Sequence, residues 1–140
     1  MKAPSLDLKA REVMNARIMA VNRRAIGRDM AVHLLTGGYS GLPVLEREGE
    51  LIGLVTEFDL LKAVLDGKDL HRVTAEEIMS VVPVTVDEDT PVKEVINHMM
   101  KWNILRVPVV RHGKLVGMIS RPDLLQKMVE SHLICVLGGS

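Results

Sequence analysis

GLVTEFDLL, Gly53–Leu61, returns later in the chain as GMISRPDLL, Gly117–Leu125. Each phrase runs from a glycine through two apolar residues to a hydroxyl residue, Thr56 or Ser120, with an aspartate three places on, Asp59 or Asp123. The surroundings return with it. LPVL precedes the first phrase and VPVV the second; the interval from Pro43 to Pro108 equals that from Met14 to Met79, and Gly53 and Gly117 are one position closer. The difference lies in one loop, EREGE against RHGK. Self-similarity at a fixed interval marks a duplicated structural unit, here of roughly sixty residues.

The composition bounds what such a duplication does. At 140 residues the chain suits a single compact domain with a sizeable core. Its 18 basic and 18 acidic residues cancel, which leaves no global field to attract nucleic acid or an anionic membrane. Apolar residues make up 47% of the chain, yet their runs are broken by charges and prolines well short of a membrane span. The opening MKAPSLDLKAREVM lacks the apolar stretch of a secretory signal, so a cytoplasmic location is expected. The lone Cys135, which has no partner for an intramolecular disulfide, agrees with a reducing compartment.

Periodicity and turn signals place the same elements twice. ARIMAV and VPVTV predict opening strands. A helix near Arg28–Leu35 is ended by Gly37-Gly38, and its counterpart in DEDTPVKEVINHMMKW is capped by Thr90, with Pro91 in its first turn and Val92, Val95, Ile96, Met99 and Met100 at helical spacing. LPVL with ELIGLVT, and VPVV with KLVGMIS, predict hairpins closed by glycine-containing turns. EFDLLKAVLDG and RPDLLQKMVESHL predict closing helices, and TAEEIM has Thr74 and Glu77 spaced for a capping box. The expected fold is α+β: two tandem repeats, 10–68 and 75–133, each strand–helix–strand–strand–helix, joined by a short polar linker at 69–74.

The repeated phrase has a purely structural reading. A Ser or Thr at a strand end accepts a backbone N–H of the following helix, and an aspartate in the first turn favours the positive end of the helix dipole. A duplicated helix duplicates its cap, so the repeat by itself demands no ligand.

The methionine openings VM and IM, the LPVL and VPVV strands and the two closing phrases together resemble the paired cystathionine-beta-synthase (CBS) domains, or Bateman module, over about Ala10 to His132. The resemblance implies two units packed about a pseudo-two-fold axis with their sheets facing. It also implies clefts between them for an adenosine-containing ligand: AMP, ADP, ATP or S-adenosylmethionine. An aspartate in the first helical turn suits the vicinal hydroxyls of a ribose, while a nearby hydroxyl and the free helix N–H groups suit a phosphate. The module implied is a regulatory one without catalysis, commonly a homodimer assembled through its helices, that reports ligand occupancy to a partner protein. A ligand-free dimeric scaffold or interaction module is the alternative.

Carried over residue by residue, the resemblance implies two unequal clefts. One joins Thr56 and Asp59 to Val84 and to Ile104, Leu105 and Arg106 ahead of Pro108. The other joins Ser120 and Asp123 to Met19 and to Tyr39, Ser40 and Gly41 ahead of Pro43. Arg106 matches a position from which an arginine reaches phosphate in the family, and a guanidinium fork suits phosphate oxygens. Gly41 stands at the matching place in the first repeat, so phosphate there would need Arg121 or the cluster Arg17, Arg23 and Arg24.

Other residues read more plainly. His33 and His98 are repeat-equivalent helix residues without accompanying metal-ligand spacing, and no metal is expected. Eight methionines (Met14, Met19, Met30, Met79, Met99, Met100, Met118 and Met128) read as adaptable core, Trp102 as helix-end packing, and Cys135 lacks an activating base. No nucleophile elbow, phosphate-cradling P-loop or metalloprotease signature is present, so nothing argues for an enzyme.

Overall fold

A computed structural model describes residues 7–39 and 41–138, of which 131–138 by backbone alone. The elements run α1 (Ala10–Val13), β1 (Val21–Asn22), α2 (Gly27–Gly37), β2 (Leu42–Leu45), β3 (Leu51–Val55), α3 (Glu57–Leu65), α4 (Ala75–Ile78), β4 (Val86–Asp87), α5 (Val92–Trp102), β5 (Arg106–Arg111), β6 (Lys114–Ser120) and α6 (Arg121–Gly138). They form two three-stranded sheets, β1-β2-β3 and β4-β5-β6. The fold is therefore α+β, and each repeat carries the expected strand–helix–strand–strand–helix order behind a short leading helix.

Topology follows from connection length. β1 and β2 pair parallel, Val21 opposite Val44, because α2 carries the chain back to the same end; β2 and β3, joined by a short turn, pair antiparallel with Leu42 opposite Val55. β4 and β5 repeat the parallel pairing, Val86 opposite Val109. Only the last residue of ARIMAV and of VPVTV, Val21 and Val86, lies in a strand, because the opening strands are just Val21–Asn22 and Val86–Asp87.

The chain groups into two compact units that are not the two sequence repeats. The first unit is Met19–Val82 with Gly113–Leu115; the second combines the segment up to Ile18 with Pro83–His112 and the chain from Val116 onward. The opening segment of each repeat is thus built into the other unit. Ala75, from the start of the second repeat, is fully buried in the first core beside Met30, Leu42, Val44 and Val55. Ala10, from the start of the first repeat, is fully buried in the second core beside Val95, Val107, Val109 and Ile119.

The repeated glycine explains how the exchange is held. A Cβ on Gly53 would stand 2.5 Å from Met79 Sδ, and one on Gly117 would stand 2.8 Å from Met14 Cγ. Each methionine packs against the glycine that opens the repeated phrase, and any larger residue there would push it off.

Several local expectations shift. α2 ends as expected, with Gly38 at its C-cap (φ 68°). Pro91 rather than Thr90 is the N-cap of α5; Thr90 Oγ accepts from Asp87 N at 3.0 Å, which closes the turn before the helix. The Thr74–Glu77 capping box does not form, because the Thr74 hydroxyl donates to the Glu77 carboxylate instead of accepting a helix N–H. Within the stretch 69–74, Leu70 O and Val73 O accept from Arg28 N and Gly27 N, and Val73 is buried. Met30, Met99 and Met128 are core, whereas Met100 is 75% exposed on the outer face of α5.

Candidate functional site

Each unit presents the hydroxyl-x-x-aspartate phrase where its last strand turns into its closing helix. In the first unit, Thr56 is the N-cap of α3 and its Oγ accepts from Asp59 N at 3.3 Å. Asp59 answers with Oδ2, which accepts from Thr56 N at 2.8 Å and from Thr56 Oγ at 3.0 Å. A capping box, expected only at Thr74–Glu77, thus forms here and is completed by an aspartate. Asp59 Oδ1 accepts from Ser80 Oγ at 2.6 Å. Ser80 follows the opening segment of the second repeat, and sequence reasoning did not single it out. It lies 21 positions from Asp59, beyond the reach of any local spacing rule. A polar groove of about 260 Å³ opens beside the pair, with Lys62, Lys68 and Glu77 also in its wall.

The second unit repeats the cap with fewer partners. Ser120 ends β6, and its Oγ accepts from Asp123 N at 3.2 Å. Arg121 follows it and is engaged through part of its guanidinium. Arg121 Nε donates to Ile104 O at 2.8 Å, Nη2 reaches Asn103 Oδ1 at 3.3 Å, and Arg121 N donates to Leu105 O at 2.8 Å. This arginine ties down the loop ahead of β5 while its side chain stays exposed. Among the remaining alternatives, Arg23 pairs with Glu46 at 3.5 Å on the surface, an ion pair of small energetic consequence. Arg17 and Arg24 are exposed.

The other expected ligand-contacting residues fall as follows. Val84 is half-buried just before β4, Ile104 packs at the edge of the second core, Leu105 is exposed, and Arg106 opens β5 half-buried. Met19 and Tyr39 pack at the edge of the first core, and Gly41 stands ahead of β2. Pro43 and Pro108 are fully buried in the middle strands of their sheets, where they fix the backbone on which these neighbours sit. Ser40 and the side chain of Cys135 lie outside the described residues.

His33 and His98 sit half-buried on α2 and α5, in different units. Among the described residues no group of three or more His, Cys, Asp or Glu side chains is placed to hold a metal. No helix among them is long and apolar enough to cross a membrane.

Comparison with known proteins agrees with this geometry. The CBS domain family model matches twice, at residues 10–66 and 75–130. An uncharacterized protein of Methanopyrus kandleri is 35% identical over 111 residues, covering 78% of this chain and 56% of its own; the chain therefore spans about half of that curated relative. Among solved structures, the CBS domain pair of protein MJ0100 in complex with 5′-methylthioadenosine and S-adenosyl-L-methionine is 27% identical, with a TM-score of 0.79, 89% of this chain covered and 98% of that one. A putative acetoin utilization protein from Vibrio cholerae superposes with a TM-score of 0.83 over 96% of this chain and 98% of its own. At 23% identity that second likeness concerns the fold alone.

Proposed function

The chain belongs to the CBS-domain family, as a tandem pair, and from that premise we propose that it is a small-molecule-sensing regulatory module. It binds an adenosine-containing ligand, AMP, ADP, ATP or S-adenosylmethionine, through both repeats and reports the occupancy to a partner protein. One observation carries the reading: both units present a hydroxyl residue and an aspartate at the same strand-to-helix junction, in a chain 27% identical to a CBS pair that holds two adenosyl compounds. One ligand is assigned to Thr56 and Asp59 with Val84, Ile104, Leu105 and Arg106. A second is assigned to Ser120 and Asp123 with Met19, Tyr39, Ser40 and Gly41, while Pro43 and Pro108 hold the strands that carry these contacts. Such a ligand acts only through its difference in affinity for two arrangements of the module.

The reading includes a homodimer. α2 with α3 leaves Leu35, Leu61 and Leu65 exposed, and α5 with α6 leaves Met100 and Leu125 exposed at the repeat-equivalent places. Apolar faces this extensive are rarely left to solvent, and a two-fold dimer covers the same patch on each copy. A ligand-free scaffold accounts for these faces equally well, so the discriminating experiment is on binding. Titration calorimetry of AMP, ADP, ATP and S-adenosylmethionine should give saturable heat with the native chain and none with the Asp59→Ala/Asp123→Ala double variant. Identical isotherms from the two proteins would overturn the assignment.

A further inference from the structure

Ser80 and Asn15 hold the same place in the two units. Ser80 N donates to Leu54 O, and Asn15 N to Met118 O, at 2.8 Å each. Both residues are therefore laid beside the strand that leads into the repeated phrase. Their side chains then diverge. Ser80 Oγ donates to Asp59 Oδ1 at 2.6 Å, while Oδ2 is engaged by Thr56 N and Oγ. Asn15 Oδ1 instead accepts from Arg17 N at 2.9 Å, and among the described residues the Asp123 carboxylate receives no hydrogen bond.

A carboxylate offers about four acceptor positions. On Asp59 the protein's own donors hold three, whereas a vicinal diol asks for two. We propose that Ser80 sets the nucleoside specificity of the Asp59 half-site: its hydroxyl stands where a ligand hydroxyl would, so a ribose reaches Asp59 only by releasing Ser80, while Asp123 accepts a ribose directly. The inference rests on the reading that the two aspartates take ribose hydroxyls. Exchanging one hydroxyl for another on the same carboxylate brings little net gain, because the bond formed replaces a bond of the same kind. The Asp59 half-site accordingly distinguishes adenosine from 2′-deoxyadenosine weakly and depends on phosphate for its affinity. The Asp123 half-site distinguishes them strongly, and neutral nucleosides fill it first.

The test is titration calorimetry of the full chain with adenosine and 2′-deoxyadenosine. The Asp123→Ala background isolates the Asp59 half-site, and Asp59→Ala isolates the other. In the first background, Ser80→Ala should tighten adenosine about tenfold and 2′-deoxyadenosine by less. In the second, Asn15→Ser places a hydroxyl where Ser80 has one, and adenosine binding should weaken. Unchanged or weaker adenosine binding after Ser80→Ala overturns the proposal, as does unchanged binding after Asn15→Ser. If neither aspartate substitution alters adenosine binding, or the native chain binds no adenosine, the ribose reading falls and this inference with it. If the aspartates matter and the serine exchanges do not, this inference alone fails.

Discussion

Replacing Gly53 by alanine probes the exchange of opening segments at its closest point. The new Cβ would lie 2.5 Å from Met79 Sδ, 2.8 Å from its Cγ and 3.0 Å from its Cβ. Rotating the tip of the methionine relieves only the first of these contacts. The base of the side chain is held because Met79 N donates to Ala75 O and Ser80 is paired with Leu54 on both sides. Overpacking against a restrained neighbour costs about 1–3 kcal/mol, which for a chain of this length lowers the melting temperature by about 3–10 °C. The assay is a double-mutant cycle by thermal and denaturant unfolding, with Gly53→Ala, Met79→Ala and both together. Truncating Met79 removes the two nearest atoms, so the pair should couple by more than about 0.5 kcal/mol. The same cycle with Met14→Ala should be additive, since Met14 lies on Gly117. Coupling of Gly53 to Met14, or additivity with Met79, would refute the exchange.

Three further outcomes are expected. Asp59→Ala should cost on the order of 1 kcal/mol through the lost cap and also reduce nucleotide-dependent stabilisation to the share contributed by the Asp123 half-site; a folded variant with native affinity would remove Asp59 from the site. Arg106→Ala should reduce the preference for AMP over adenosine by about one to two powers of ten, the contribution of a charge-assisted hydrogen bond, and calorimetry giving the same AMP-to-adenosine ratio with and without Arg106 would undo the ranking of the two half-sites. The native chain should sediment as a dimer at micromolar concentration and Leu61→Asp should shift it to monomer; a native chain that sediments as a monomer would contradict the proposed assembly.

What the sequence discloses and what it hides follow from the range of each signal. The duplication, the hairpins and the caps at Thr56 and Ser120 depend on residues a few positions apart, and they were readable. The exchange was not, because duplication makes its own ambiguity: Met14 fits the glycine of its own repeat, Gly53, as well as Gly117, and only tertiary packing chooses. Thr90 and Thr74 look like caps and use their hydroxyls otherwise, since a turn N–H or a carboxylate competes for the same oxygen. Met100 continues the helical stripe of Val92, Val95 and Met99 by spacing, yet it falls on the exposed side of α5. Ser80 and Arg121 act on partners distant in sequence, so neither the filled carboxylate of Asp59 nor the anchored loop ahead of β5 leaves a local trace.

The central claim is that the folded chain binds an adenosine-containing ligand, and thermal unfolding with AMP, ADP, ATP and S-adenosylmethionine tests it most directly. A ligand that binds only the folded state at about a hundred times its dissociation constant contributes about 2.7 kcal/mol, or roughly 9 °C for a chain of this length. The account predicts a rise of that order with at least one of the four, lost in the Asp59→Ala/Asp123→Ala variant. A melting temperature that none of the four moves, at millimolar concentration, would contradict it.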